Sequence, residues 1–79
     1  MVRQQVSATQ LQQLIQSEVD AVPEIRKDFA RIRIQTPMRR EPESDDDCNW
    51  SVGYDGEGMY SQAVGIVVHR LQRQYDLDR

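Results

Sequence analysis

The chain has one cysteine and one histidine. A lone cysteine excludes an internal disulfide, so no covalent bridge staples the fold. A structural zinc site is closed by a tetrahedral set of nitrogen or sulfur ligands, and these two residues are too few to build one. No metal or other cofactor is expected. No run of roughly 18 apolar residues occurs, so no membrane-spanning helix is expected. The first residues show no basic segment followed by an apolar one, so a standard secretory signal is not expected either. An unpaired cysteine fits a reducing compartment, which makes the expected location the cytoplasm.

What is present is a polar but patterned chain. Of 79 residues, 38% are hydrophobic and 29% charged, with a net charge of −3. The apolar residues recur with helix and strand periods, which argues for a fold rather than for disorder. The length sets one domain, residues 1–79. At this size a single core supplies only ~3–5 kcal/mol unless something reinforces it. With disulfide and zinc removed, the remaining common reinforcement is association, so a homodimer is expected. Charge is unevenly placed. Arg26, Lys27, Arg31, Arg33, Arg39 and Arg40 form a basic segment, and Glu41, Glu43, Asp45, Asp46 and Asp47 follow it directly.

The first helix has a complete start signal. Ser7 and Gln10 make an S-x-x-Q capping box, and Val6 and Leu11 flank it as a hydrophobic staple. Leu11, Leu14, Ile15, Val19 and Val22 then recur at helical spacing. Pro23 ends the helix, because it lacks the N–H and pushes Val22 out of the helical region. Residues 1–5 read as a frayed terminus. Residues 23–29, PEIRKDF, read as a connector with room for one helical turn, from which Ile25 and Phe29 both reach the core.

A first strand is expected from Ala30 to Arg39. Ala30, Ile32, Ile34, Thr36 and Met38 share the inward parity, and Arg31, Arg33, Gln35, Pro37 and Arg39 the outward one. Pro37 cannot donate to a ladder, so it marks an edge or a bulge. A second strand runs from Cys48 to Tyr54, with Cys48, Trp50, Val52 and Tyr54 inward and Asn49, Ser51 and Gly53 outward. Residues 41–47 are the acidic turn between them. Residues 55–58, DGEG, end the second strand. A second helix is expected from Met59 to Tyr75, with Tyr60, Ala63, Val64, Val67, Leu71 and Tyr75 as its buried stripe. Gly65 weakens that helix by ~1 kcal/mol relative to alanine. The fold class is therefore α+β: a two-layer α-β-β-α domain, an antiparallel hairpin with both helices on one face. Its exposed edges offer a route to a dimer with a four-stranded sheet.

Several residues invite a chemical reading within this frame. Asp45, Asp47 and Asn49 match the opening of a calcium loop, but Trp50 stands where its glycine belongs and Gly56 where its bidentate glutamate belongs. Cys48 with His69 as base would make a nucleophile pair. Cys48, however, shares the inward parity of Trp50, and His69 lies off the helix stripe. DGEG lacks the lysine and hydroxyl residue of a phosphate-binding loop. Trp50, Tyr60 and Tyr75 are in phase with the core rather than with a ligand platform. The surface that remains is the outward sheet face, with Arg31, Arg33, Arg39, Asn49 and Ser51 as its candidate binding residues. Arginines there could hold nucleic-acid phosphates, but the net charge is negative and no aromatic residue interleaves with them.

The stretch from Glu41 to Ser51, E-P, an acidic turn and then C-N-W-S, resembles a pattern in short uncharacterised bacterial proteins with the same helix-strand-strand-helix order. That resemblance implies a bacterial cytoplasmic protein and brings no activity or residue roles. The function expected from the residues is a small non-enzymatic interaction module, a homodimer that binds a protein partner. Nucleic-acid binding is the alternative, and an enzyme with its site at a dimer interface is the second alternative.

Overall fold

A computed structural model of the chain describes residues 3–78. Helix α1 spans Ala8–Asp20 and begins as its residues dictate. The Gln10 amide donates to Ser7 Oγ at 3.1 Å, and the Ser7 amide donates back to Gln10 Oε1 at 3.0 Å. Val6 and Leu11 are both buried beside this cap. Pro23 opens the next helix, α2 (Pro23–Lys27), whose first turn does not need the missing N–H.

α2 ends in a Schellman motif. The Ala30 amide donates to Ile25 O at 3.0 Å and the Phe29 amide to Arg26 O at 3.2 Å. The residue in the left-handed position is Phe29, with φ 54°. Glycine is usual there, since a Cβ crowds the following carbonyl. This turn corrects one expectation. Ile25 enters the core, but Phe29 is swung out to 90% exposure.

The hairpin forms as two short antiparallel ladders. β2 (Arg33–Ile34) pairs with β5 (Tyr54–Asp55), and β3 (Met38–Arg39) pairs with β4 (Trp50–Ser51). Between the ladders, residues 35–37 oppose only residues 52–53, so the first strand carries one extra residue. Gln35 still donates to Gly53 O at 3.0 Å. Pro37 sits in this bulge, where no ladder donor is required. One extra residue inverts the facing of everything after it. Thr36 and Met38, expected inward, are exposed, and Pro37, expected outward, is buried. Ile32 and Ile34, before the bulge, are buried as expected, and so are Cys48 and Trp50 on the facing strand.

Helix α3 spans Ser61–Gln72, preceded by a single 3-10 turn at Gly58–Tyr60. Tyr60, Val64, Val67 and Leu71 are buried along it. The expected continuation to Tyr75 does not occur. The chain turns at Arg73 and Gln74, and Tyr75–Leu77 forms β6, paired in parallel with β1 (Gln4–Val6). Gln4 and Gln5, expected to fray, are thus held in a strand; residues 1 and 2 of that expected terminus lie outside the described residues. The class is α+β. α1 packs against α3, β2 and β6, and α3 also packs against β6. Trp50, Leu11, Ile15 and Val19, all 0% exposed, lie at the centre of the core.

Strands of two or three residues satisfy little of their own backbone, and polar side chains complete the pairing. Gln16 on α1 acts as a substitute strand for β2: its Nε2 donates to Ile32 O at 2.7 Å and its Oε1 accepts from the Ile34 amide at 2.8 Å. Gln12 Nε2 donates to Ile34 O at 2.9 Å. β6 is treated the same way. β1 takes up one edge of it, with bonds from Gln4 N to Gln74 O and from Asp78 N to Val6 O. On the other edge, Trp50 Nε1 donates to Tyr75 O at 2.9 Å. Asn49 Nδ2 donates to Leu77 O at 3.0 Å, and Asn49 Oδ1 accepts from the Leu77 amide at 2.8 Å. Among the described residues no buried side-chain nitrogen or oxygen lacks a partner.

Candidate functional site

The bulge divides the expected binding face. Arg31 and Arg33 are exposed before it, and Met38 and Ser51, in register with each other, are exposed after it. Arg39 is exposed too, but it shares register with the buried Trp50, and its guanidinium donates to the Asp78 carbonyl at the end of β6. Asn49 is half-buried, with its whole amide committed to Leu77. Of the five residues, Arg31 and Arg33 lie together with free exposure, Ser51 lies beyond the bulge, and Arg39 and Asn49 are engaged with β6.

The acidic turn is closed by Arg40. Its guanidinium makes two bonds of 2.8 Å to the Asp47 carboxylate, and its Nε donates to Trp50 O at 3.1 Å. Asp47 also accepts from the Glu43 and Cys48 amides, each at 2.9 Å. These donors favour the charged carboxylate. The Arg40 guanidinium first, then the Glu43 amide, hold Asp47 down to about 2 from a usual 3.8. The same pairing raises Arg40. Arg3 ties the turn to the far end of the chain, donating to Gln72 O at 2.7 Å and to the Asp46 carbonyl. The last residue of the basic segment, Arg40, and the last of the acidic segment, Asp47, therefore form the clamp that closes the turn.

Cys48 is 2% exposed, and its thiol donates to Trp50 O at 3.2 Å. Arg40 Nη2 approaches the sulfur at 3.4 Å. His69 is exposed on α3. The thiol is thus placed as a small core group rather than toward an imidazole. Among the described residues no three acidic, histidine or cysteine side chains gather in a way that could hold a metal ion. Asp47, the middle residue of the apparent calcium opening, is taken by Arg40.

Two further exposed apolar side chains lie on the helical side. Met59, in the 3-10 turn before α3, is 72% exposed, and Ile66, on α3, is 62% exposed. Beside them runs a cleft of about 500 Å³ between α3 and the α1–α2 corner, lined by Val22, Pro23, Ala63 and Val67 as well. One end of the cleft is tied by the ion pair of Glu18 with Arg70. Beyond the other end, Tyr60 donates its hydroxyl to Asp28 Oδ2 at 2.8 Å, which links the end of α2 to the start of α3. Asp28, by accepting that proton and by its charge, raises the Tyr60 phenol above its usual 10.0; loss of solvent adds to the shift. Phe29 stands near this corner, in a second hollow lined by Asp28, Glu57 and Tyr60. Sequence reasoning passed over these residues because it followed the buried stripe. The available signal was that Met59 and Ile66 are large apolar residues off that stripe, with Gly65 between them.

No helix among the described residues is long and apolar enough to cross a membrane. Compared with protein-family models, curated proteins and solved structures, the chain has no match.

Proposed function

We propose that the chain is a small non-enzymatic protein-interaction module that acts as a homodimer, its two helices forming one layer over the short strands. The observation that carries this reading is the exposed pair Met59 and Ile66 beside the cleft between α3 and the α1–α2 corner. Side chains of that size remain in water at a cost of about 1.5–3 kcal/mol each relative to burial. A contiguous exposed apolar surface marks an interaction site more often than isolated exposed residues do. Methionine suits such a surface, because its flexible thioether adapts to the shape it meets. Sedimentation across micromolar concentrations tests the reading. A reversible dimer is expected, and a monomer at every concentration rejects it.

Arg31 and Arg33, both exposed, favour a second reading: contact with nucleic-acid phosphates. Tight oligonucleotide binding that falls steeply with salt, and whose salt slope flattens in Arg31→Ala/Arg33→Ala, would establish it. The net charge of −3 favours the first reading, since it opposes long-range attraction of a polyanion.

A further inference from the structure

We propose that two copies pair through the free edge of β1, antiparallel across a two-fold axis at Gln5, which joins their β1–β6 ladders into one four-stranded sheet. This rests on the homodimer reading above and gives it a surface. In a parallel ladder every second residue of a strand bonds to the neighbouring strand. Gln4 and Val6 do so here, since Gln4 N donates to Gln74 O and Val6 O accepts from Asp78 N. The N–H and C=O of Gln5 therefore point to the opposite edge, and among the described residues nothing bonds to them. Other strand edges are closed by side chains: that of β2 by Gln16, and that of β6 by Asn49 and Trp50. A second β1 laid antiparallel and centred on Gln5 satisfies both open groups, because each Gln5 N–H donates to the other Gln5 C=O.

The composition of this surface identifies the occupant as a second copy. A residue near a two-fold axis meets its own copy, so a charge there repels itself. A glutamine amide carries both donor and acceptor and bonds to its twin. From Gln4 to Ser17 the chain has no charged residue, although 29% of the whole is charged. Val6, Leu14 and Tyr75 line a hollow of about 450 Å³ between β1 and α1, and the rest of its lining is glutamine and Ser17. Depletion of charge is the compositional mark of an interface centre. Leu14, on the helical stripe by spacing, is only half-buried. A two-fold axis perpendicular to the sheet sets both α1 helices on one face, flanking the axis, with their hollows side by side. The charged neighbour of Gln5 within the ladder is Asp76, in register with it. In the dimer the two Asp76 stand on the outer strands, three strand spacings or roughly 14 Å apart, beyond the ~8 Å Debye length at physiological salt. On the face away from α1, Asp45 and Asp76 share a hollow with Arg3, whose charge offsets part of theirs. The α1 hollow shares no residue with the cleft beside Met59 and Ile66, so the two surfaces are distinct.

Sedimentation of variants of the full chain tests the proposal, with circular dichroism to check the fold of each. Gln5→Pro removes an N–H that the single chain does not use, at an edge position where proline is tolerated. It is expected to leave the fold intact and weaken the dimer at least ~10-fold, since both bonds on the axis use that donor. Gln5→Lys and Gln5→Glu each set like charges directly opposite one another and weaken the homodimer. An equimolar mixture of these two variants sets opposite charges together and regains a dimer, which only a residue at the axis can do. A folded Gln5→Pro chain that dimerises as the wild type does, or charge variants that are indifferent or fail to complement each other, would overturn the β1 geometry and leave the homodimer reading standing. A wild-type chain that stays monomeric would overturn both.

Discussion

Asn49 decides between two views of the hairpin, and its replacement gives a large, signed effect. A surface residue on a sheet changes stability by no more than about 0.5 kcal/mol when truncated. Asn49 instead holds both backbone groups of Leu77, a residue only 6% exposed. Asn49→Ala leaves the Leu77 amide and carbonyl without partners in a poorly hydrated place. Each of the two groups costs about 1–3 kcal/mol, so a total loss of about 2–6 kcal/mol is expected. A domain of this size has a stability on the order of 5 kcal/mol, so the variant stands near the edge of folding. Urea titration followed by Trp50 fluorescence measures the loss, because Trp50 is fully buried and bonded to the same strand.

Asn49→Asp sharpens the test. The carboxylate still accepts from the Leu77 amide, but it cannot donate to Leu77 O, and Asp76 is close by: its Oδ1 accepts the residue-49 amide at 3.3 Å. Two nearby acceptors disfavour the ionised form, so the new carboxyl has a raised pKa in the fold. A raised acid is stabilising below its unfolded value, ~3.9 for an aspartate, and that benefit is lost as pH rises through the folded value. The deficit of Asn49→Asp relative to wild type should therefore be largest at pH 7 and shrink toward pH 4, where the protonated acid can again donate. A loss below about 0.5 kcal/mol for Asn49→Ala, or a deficit for Asn49→Asp that does not vary with pH, would refute the reasoning.

The remaining expectations concern single sites. Trp50 emission is expected to be blue-shifted in the folded state, and Trp50→Ala should lose ~3–5 kcal/mol in the same titration. Gly56→Ala should destabilise by about 1–3 kcal/mol: its φ is +156°, and a Cβ would come within 2.7 Å of Ile32 Cδ1 and 3.3 Å of Arg31 O. Asp47, held down to about 2, contributes stability that is complete above its usual 3.8 and lost as pH falls through about 2. Acid titration of wild type against Asp47→Asn should show that difference in the midpoint of unfolding.

Much of the fold was legible where local chemistry and period agreed. Ser7, Gln10, Val6 and Leu11 determine the start of α1 between themselves, within a few residues. Cys48 and Trp50 alternate with polar neighbours and are buried accordingly. Pro37 announced a break in pairing, but not on which side of it the facing would change. That depends on the count of residues between two ladders, which no periodicity contains. The end of α3 was misleading for a different reason. Tyr75 lies four residues after Leu71, a spacing that suits a helix stripe, yet the chain leaves the helix at Arg73. β1 and β6 were invisible because each has three residues and its partner lies at the other end of the chain. Of the candidate binding residues, the exposure of Arg31 and Arg33 follows from parity, while the engagement of Asn49 with β6 requires a strand that the pattern does not announce.

The polar composition and the small core are two sides of one solution. A chain with 38% hydrophobic residues cannot bury long strands on both faces, so its ladders are short and their backbone groups would be left open at the edges. Leaving such groups open inside costs more than a neutral hydrogen bond returns. Glutamine and asparagine resolve this, because a side-chain amide presents an N–H donor and a C=O acceptor in one plane, as a peptide does. Gln16 on β2 and Asn49 on β6 therefore act as strands of one residue, borrowed from a helix and from the residue just before β4. Edges finished in this way no longer invite pairing by another chain.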